Sequence, residues 1–516
     1  MKKTVCALLV ISLLLSLCSC GSSARKTELT VGFSNEVQTL DPINATGDAE
    51  KMILSNCFEG LMTFDESGKP ELSGATGYSL SGDMLTYIFT LNPNAEWYIS
   101  DEVRDTIETE RIENFNKNIT AEDFVYGINR LIESGCDELG VISKITAEDK
   151  HTLKITLKEP DVDFLYKLAS LPAYPCNESF VTALGGIYAT TTATVITNGA
   201  YIIDELNPSG NITLIPNPDY KGKVRVLNRK IQLRFTDKLE SVYTRFEKGD
   251  YDIYASSSLE RPSTDIKATS SVTTAIWGLC FNCSKDQIKN DNLRKAILTA
   301  TPTQTVKTPS FASGKAKRVI PDNYLVGTQS YDAFKKEDIF IEYTPDFSAQ
   351  LLDKALTELN ADSVTIKIYV PDQLKTSFLR IENEWKNIFG DKLIVDLRTF
   401  SPLSADSIKD KNEYDLAVLP LSPKTTTAYG VLESISESPC YFKDKNFEQY
   451  KNAVYNETEK TASSFKYAEN YLALKCVFIP LFYSGNDLYQ NSGVSGVYFA
   501  DIGEKTYFYK GEKTEK

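Results

Sequence analysis

The stretch from Val364 to Phe400 decides the fold: "VTIKIYV" at 364–370, "SFLRIENEWKNIFG" at 377–390 and "KLIVDLRTF" at 392–400. The first segment alternates branched apolar and polar residues, the period-two pattern of a half-buried strand. In the second, Phe378, Ile381, Trp385, Ile388 and Phe389 fall on one helical stripe. Gly390 stands where a helix C-terminus favours a positive φ. The third segment reads as another strand. Strand, helix, strand at this spacing predicts a βαβ unit with parallel strands and a right-handed crossover. Working outward, "SAQLLDKALTELN" (348–360) is a further amphipathic helix, and "YDLAVLPL" (414–421) a buried strand. The first half is richer in strands: "LTYIFTL", "HTLKITL", "NITLIP" and "KIQLRF". The fold class expected is α/β with mixed sheets.

Composition narrows the function. The 516-residue chain carries a net charge of −14, which argues against a nucleic-acid partner and against a polybasic grip on anionic lipid. No nucleophile elbow, phosphate-cradling glycine loop or H-E-x-x-H is present, so no enzyme and no cofactor are expected. Glu122 and Asp123 look structural. Thr120 and Asp123 make a capping box ahead of the apolar face Phe124, Val125, Ile128, Leu131 and Ile132. Beyond the amino-terminal region, Cys57, Cys136, Cys176, Cys280, Cys283, Cys440 and Cys476 are irregularly spaced and odd in number, which gives no disulfide framework. Cys280 and Cys283 have C-x-x-C spacing, but their flanks, "AIWGLCFNCSK", read as a buried strand. No second pair follows, and His151 is the one histidine. No metal site is expected.

The amino terminus begins Met1-Lys2-Lys3, then runs apolar from Val5 to Leu17. A charged start followed by about a dozen apolar residues is typical of an export signal and too short for a spanning helix. Leu17-Cys18-Ser19-Cys20-Gly21 resembles a bacterial lipobox. It places a signal peptide at 1–19, lipidation on Cys20 and a tether over 20–27. Two or three acyl chains give stable anchoring where one is marginal, since each buried methylene contributes about 0.8 kcal/mol. The expected location is the extracytoplasmic face of the cell membrane.

Nine phrases in order carry a family resemblance: "NEVQTLDPINAT" (35–46), "FEGLMTFD" (58–65), "LTYIFTLNPNAEW" (85–97), "ITAEDFVYGINR" (119–130), "TNGAYII" (197–203), "NPDY" (217–220), "FNCSKDQIKNDNLRKAI" (281–297), "YDLAV" (414–418) and "IPLFYSGNDLY" (479–489). Together, over nearly all of residues 28–510, the chain resembles the oligopeptide- and dipeptide-binding class of extracellular solute-binding proteins, the receptors of ATP-driven (ABC) importers. The resemblance implies a two-lobed clamp with an extra domain on the first lobe. By position the first lobe takes 28–65, 195–272 and 485–516, the extra domain 66–194, and the second lobe 273–484. Two strands near Thr273–Asn282 and Phe478–Gly485 would cross between the lobes. Such receptors close about a hinge, and ligand contacts from both lobes are needed to shift the population. They hold an extended peptide by its backbone, as in strand addition.

The resemblance also implies site residues. The segment Asn35, Glu36, Val37, Gln38 and Thr39 would line the ligand on the first lobe, with Trp277 and Leu279 facing the cleft from the hinge side or packing as core at the lobe boundary. Arg294 and Tyr201 read as framework. Peptide binders of this class carry a Trp and then an Asp just after the "YDL" strand, and that Asp holds the ligand's ammonium. Here no aspartate follows Asp415 until Asp444, and Lys424 is present instead. A cation there repels an amine terminus, because a buried ammonium needs a carboxylate. Either the ligand lacks a free amine at this point, or Glu36, Glu433 or another acid supplies the charge; a solvated Lys424 on a loop is the alternative reading. A second departure is the charged insertion at 98–118, expected as a solvated loop or a partner contact. The expectation is a monomeric, lipid-anchored receptor that captures a peptide-like solute and presents it to importer permease subunits; the alternative is a sensory or peptide-pheromone-binding lipoprotein.

Overall fold

In the computed structural model the deciding stretch forms strand Val364–Pro371, helix Lys375–Phe389 and strand Leu393–Phe400. The strands are parallel, paired from Val364–Leu393 through Pro371–Phe400. Phe378, Ile381, Trp385 and Phe389 are buried; full burial of such a side chain contributes about 1.5–3 kcal/mol. Gly390 ends the helix at φ +58°, a conformation that a Cβ would strain. The structure describes residues 25–26, 28–34, 36–45, 47–207, 209–257, 268–334, 342–455, 457–500 and 505–514. Cys20 and Asn35 lie outside them.

These strands sit at one end of an eleven-stranded mixed sheet. From that end the order runs Leu393–Phe400, Val364–Pro371, Leu416–Leu421, Ser270–Phe281, Phe478–Gln490, Ile253–Ser257, Glu28–Phe33, Lys230–Phe235, Ile212–Pro216 and Tyr201–Leu206. A short strand, Gly314–Lys315, pairs beside Phe478–Gln490. Two large cores flank the middle of the sheet. One draws its buried side chains from Ile276 to Phe482. The other runs from Leu29 to Leu233 and is joined by Ile253, Leu325, Leu488, Val497, Phe499, Ala500, Tyr507, Phe508 and Tyr509. The molecule is therefore a two-lobed α/β protein.

Among the described residues, only Ser270–Phe281 and Phe478–Gln490 run from one core to the other within the sheet. They are antiparallel, and each carries one bulge. Thr274 is the extra residue between the pairs Thr273–Gly485 and Ala275–Ser484, and Leu481 the extra one between Trp277–Phe482 and Gly278–Pro480. Bulges raise local twist and bend a strand, so the ladder is weakest at the crossing. Gly485 is required there: a Cβ on it would lie 1.7 Å from the Val272 carbonyl oxygen.

A separate four-stranded antiparallel sheet (Ala75–Leu80, Thr86–Leu91, Thr152–Leu157, Ile142–Asp149) shares the core that begins at Leu29. Helix Ala121–Glu133 packs on it. Its start is the expected capping box, with the Thr120 amide and hydroxyl donating to Asp123 Oδ2 at 2.7 and 2.9 Å. The charged insertion departs from expectation. It is not a loop throughout: Asp101–Thr109 is a helix with Ser100 Oγ accepting from the Val103 amide. Asp101 and Glu102 in its first turn favour the N-terminal dipole, and Val103 alone of the helix is buried.

Three of the ordered phrases meet at one polar knot. Glu59 is buried, and its Oε1 accepts from Ser73 (2.8 Å) and from the Tyr220 hydroxyl (2.9 Å). Asn198 accepts from the Glu59 amide and donates to its carbonyl. Burial raises the Glu59 pKa against the opposing pull of these donors. Gly199 closes the knot; a Cβ on it would meet the Cys57 backbone at 2.5 Å.

Gly485→Ala is expected to destabilise the fold by about 1–3 kcal/mol, the range for overpacking, in urea unfolding. Gly82→Ala, where a Cβ meets open space, is expected to be neutral; equal midpoints for the two would show that the crossing tolerates a side chain.

Candidate functional site

The first candidate wall is built from the segment after strand Glu28–Phe33. Glu50, in the first turn of helix Asp48–Cys57, holds it by the backbone. Glu50 Oε1 accepts from the amides of Gln38 (2.6 Å) and Thr39 (3.2 Å), while Oε2 accepts from the Gly47 amide (2.7 Å). Further along, Asp41 takes both arms of Arg130, at 2.9 and 3.3 Å, in a pair that is nearly out of solvent. The Arg130 guanidinium also lies over the Tyr188 ring at 5.4 Å. With its backbone fixed at these points, Glu36 and Gln38 project to solvent, Val37 and Thr39 are half-buried, and Leu40 is buried. Side chains held this way are pre-ordered for a ligand, which lowers the entropy cost of binding.

Trp277 and Leu279, two residues apart on the crossing strand, are 1% and 0% exposed. The Trp277 indole N–H donates to Ser484 Oγ at 2.9 Å, and its ring packs 4.7 Å from Phe311. In this conformation both pack as core at the lobe boundary, and neither reaches a solvent-facing wall. Arg294 is framework: its guanidinium bonds the carbonyls of Ile288, Lys289 and Lys475. Cys280 and Cys283 are buried thiols donating to backbone carbonyls. Among the described residues no cluster of metal-ligating side chains occurs.

Lys424 falls on a seam that the sequence did not disclose. Just past strand Leu416–Leu421, residues 424–427 meet the segment 161–167 that follows the four-stranded sheet. Lys424 Nζ lies 3.3 Å from Glu138, and both side chains are partly exposed. The Tyr166 hydroxyl lies 2.5 Å from Thr426 Oγ1 and accepts from the Thr426 amide at 3.1 Å. Thr427 Oγ1 donates to Asp163 Oδ2 at 2.5 Å. Thr427 also caps helix Ala428–Ser436 by accepting from the Gly430 amide, so the seam contact and the helix start share one hydroxyl. Asp163 is 2% exposed, and burial, helped by the nearby Asp161 charge, pushes its pKa up to about 7. Lys167 pairs with Asp161 at 2.8 Å.

Beside these contacts lies a cavity of about 460 Å³. Glu138, Glu159 and Asp161 line one side, and Tyr429, Glu433 and Lys451 the other. The volume lies in the range of small-molecule sites, and its lining carries acids from both sides of the seam. Of the acids offered as replacements for a missing aspartate, Glu433 is placed here, while Glu36 lies on the first wall. The missed residues are Asp163, Tyr166, Thr426 and Thr427. "EPDVDFLYK" and "KTTTAY" offered polar residues beside apolar ones, but nothing in them announces a contact across some 260 positions.

Two lobes joined by two strands, with a cavity at their seam, define a clamp of the solute-binding type. The chain matches the family model described as bacterial extracellular solute-binding proteins, family 5 Middle, over residues 69–441, and it belongs to that family. It is 24% identical to the dipeptide-binding protein DppE of Bacillus subtilis, over 92% of this chain and 90% of that one. Among solved structures it is similar to HbpA2 from Haemophilus parasuis, with a TM-score of 0.72 at 17% identity, covering 95% of this chain and 100% of that one. It is also similar to the Escherichia coli murein tripeptide-binding protein MppA, with a TM-score of 0.62 at 20% identity, covering 96% and 99%. The two-lobed fold is thus the one expected. Relatives of this family are binding proteins.

Arg130→Ala is expected to cost about 3 kcal/mol in urea unfolding, because it strands the buried Asp41 charge. A loss below about 0.5 kcal/mol, the size typical of surface substitutions, would show that the segment 36–41 is anchored by other groups.

Proposed function

We propose that this chain is the lipid-anchored receptor of an ABC importer, and that it captures peptides or peptide-like solutes by closing its lobes about the strand pair Ser270–Phe281 and Phe478–Gln490. The observation that carries this reading is the strand pair itself, the two strands of the sheet that pass from core to core, bulged where they cross. Membership of the solute-binding family supports it, as does similarity along most of the chain to a dipeptide-binding protein. The mobile bodies in this reading are a first lobe of 28–65, 195–272 and 485–516, an extra domain of 66–194 and a second lobe of 273–484.

Ligand contacts fall to Asn35, Glu36, Val37, Gln38 and Thr39 on the first lobe and to Lys424 on the second. Trp277 and Leu279 serve from behind as the packed base of the crossing. Closure brings an extended peptide between the walls, where backbone N–H and C=O groups supply affinity independent of sequence. Chemistry on the solute has no part in this cycle. Lipid on Cys20 keeps the receptor at the outer face of the membrane; none of the described helices is long and apolar enough to cross it.

Lys424 stands where the family resemblance places an aspartate that grips an amine, and its ammonium lies 3.3 Å from Glu138. Acetylated peptides are therefore expected to bind at least tenfold more tightly than matched free-amine peptides in calorimetry, and Lys424→Asp to reverse the order. Tighter binding of the free form by the wild type would contradict the assignment of Lys424. Cys20→Ala is expected to move the protein from the membrane fraction to the medium or periplasm. Unchanged fractionation, with no lipid label on the wild type, would overturn the anchor.

A further inference from the structure

We propose that Asp163 and Tyr166, with Thr426 and Thr427 opposite them, form a proton-operated latch between the four-stranded unit and the second lobe, closed when Asp163 carries a proton. This rests on the receptor reading in one respect, that the two sides of the seam separate when the clamp opens.

The geometry of the hydroxyls supports the latch. Thr427 Oγ1 accepts from the Gly430 amide (3.1 Å), lies 2.8 Å from Thr425 Oγ1 and 2.5 Å from Asp163 Oδ2. A hydroxyl has one proton to give. When Asp163 is ionised, Thr427 donates to it and Thr425 donates to Thr427. When Asp163 is protonated it donates to Thr427, which then donates to Thr425. The chain of hydroxyls accommodates both states, so the contact persists and the difference between them is the cost of burying charge. The Tyr166–Thr426 pair has no charge to lose and supplies the pH-independent part.

The charges around Asp163 set the sign. On its own segment Asp161 disfavours ionisation and Lys167 favours it; from the second lobe Glu433 disfavours it. With Asp163 ionised, three carboxylates face one ammonium, and a proton on Asp163 relieves both this imbalance and the burial. In the Lys424–Glu138 pair, farther out, each partner favours the charged form of the other against the cost of burial: Glu138 raises the Lys424 pKa, and Lys424 helps lower that of Glu138.

In the seam the Asp163 pKa is about 7, against about 3.9 for a solvated aspartate. Closing therefore takes up a proton. The latch acts at full strength below about pH 4, weakens about tenfold in closed-to-open ratio per pH unit above that, and has lost the Asp163 contribution once the pH passes about 7. The chemistry suits a receptor outside the cytoplasm that meets acid surroundings, where closure would need less of the solute's binding energy.

Small-angle scattering on ligand-stripped protein at pH 5.5 and pH 8.0 tests the latch. The radius of gyration of the wild type is expected to be smaller at pH 5.5. Asp163→Asn, a neutral mimic of the protonated acid, is expected to be as compact at pH 8.0 as the wild type at 5.5. Tyr166→Phe, which keeps the ring and removes the hydroxyl, is expected to be more open than the wild type at pH 5.5. An identical wild-type radius at the two pH values, or a pH response retained in Asp163→Asn, overturns the latch. Adding a mixed tripeptide library at pH 8.0 separates the two ideas. Compaction with peptide but without acid leaves the receptor reading and removes the latch; compaction with acid but never with peptide does the reverse.

Discussion

The antiparallel pairing of Ser270–Phe281 with Phe478–Gln490 is the constraint on which the other features of this molecule depend. Each strand spends one half in either core, so two otherwise separate hydrophobic bodies are held in one hydrogen-bonded sheet. Backbone hydrogen bonds leave the lobes no freedom to slide along the strands. Two bulges, one per strand, leave freedom to bend and twist. Gly485 lets the strands approach where a side chain would clash. Stiffness along the ladder and compliance at the crossing come from the same residues.

Around that crossing, polar groups are arranged on two levels. Within the body built on the Leu29 core, the Glu59 knot, the Asp41–Arg130 pair and the Thr120–Asp123 box each satisfy buried groups with nearby donors. These fix the candidate wall and the framework. At the seam the partners come from opposite bodies, as with Asp163 and Thr427, or Tyr166 and Thr426. Separation of the lobes leaves these groups to water and costs little, because exposed hydroxyls and carboxylates are well solvated. Interior groups make rigid bodies, and seam groups make a reversible contact.

The local parts of this design were legible in the sequence because they are periodic or punctuated. The stripe from Phe378 to Phe389 ending at Gly390 allows one reading, and the capping box before Phe124 another. The crossing strands were placed through the order of family-like phrases, since an apolar strand such as "AIWGLCF" does not announce that it spans two cores. Period-two alternation put Trp277 and Leu279 on one face but could not say whether that face met solvent or side chains; the Ser484 hydroxyl and the Phe311 ring decide it. The helix Asp101–Thr109 was hidden by its charge, although Ser100 followed by two acids is a start signal. The seam left no trace, because contacts between residues some 260 positions apart impose no period on either segment.

The central claim is that the lobes move as rigid bodies about the bulged crossing. Paired crystal structures of the protein, one stripped of ligand and one grown with bound peptide, test it most directly. The account predicts that each core superposes on itself, with backbone torsion changes concentrated at Thr273–Ala275, Leu481 and Ser484–Gly485. Repacking inside either core, or a peptide bound with no change at the crossing, would contradict it.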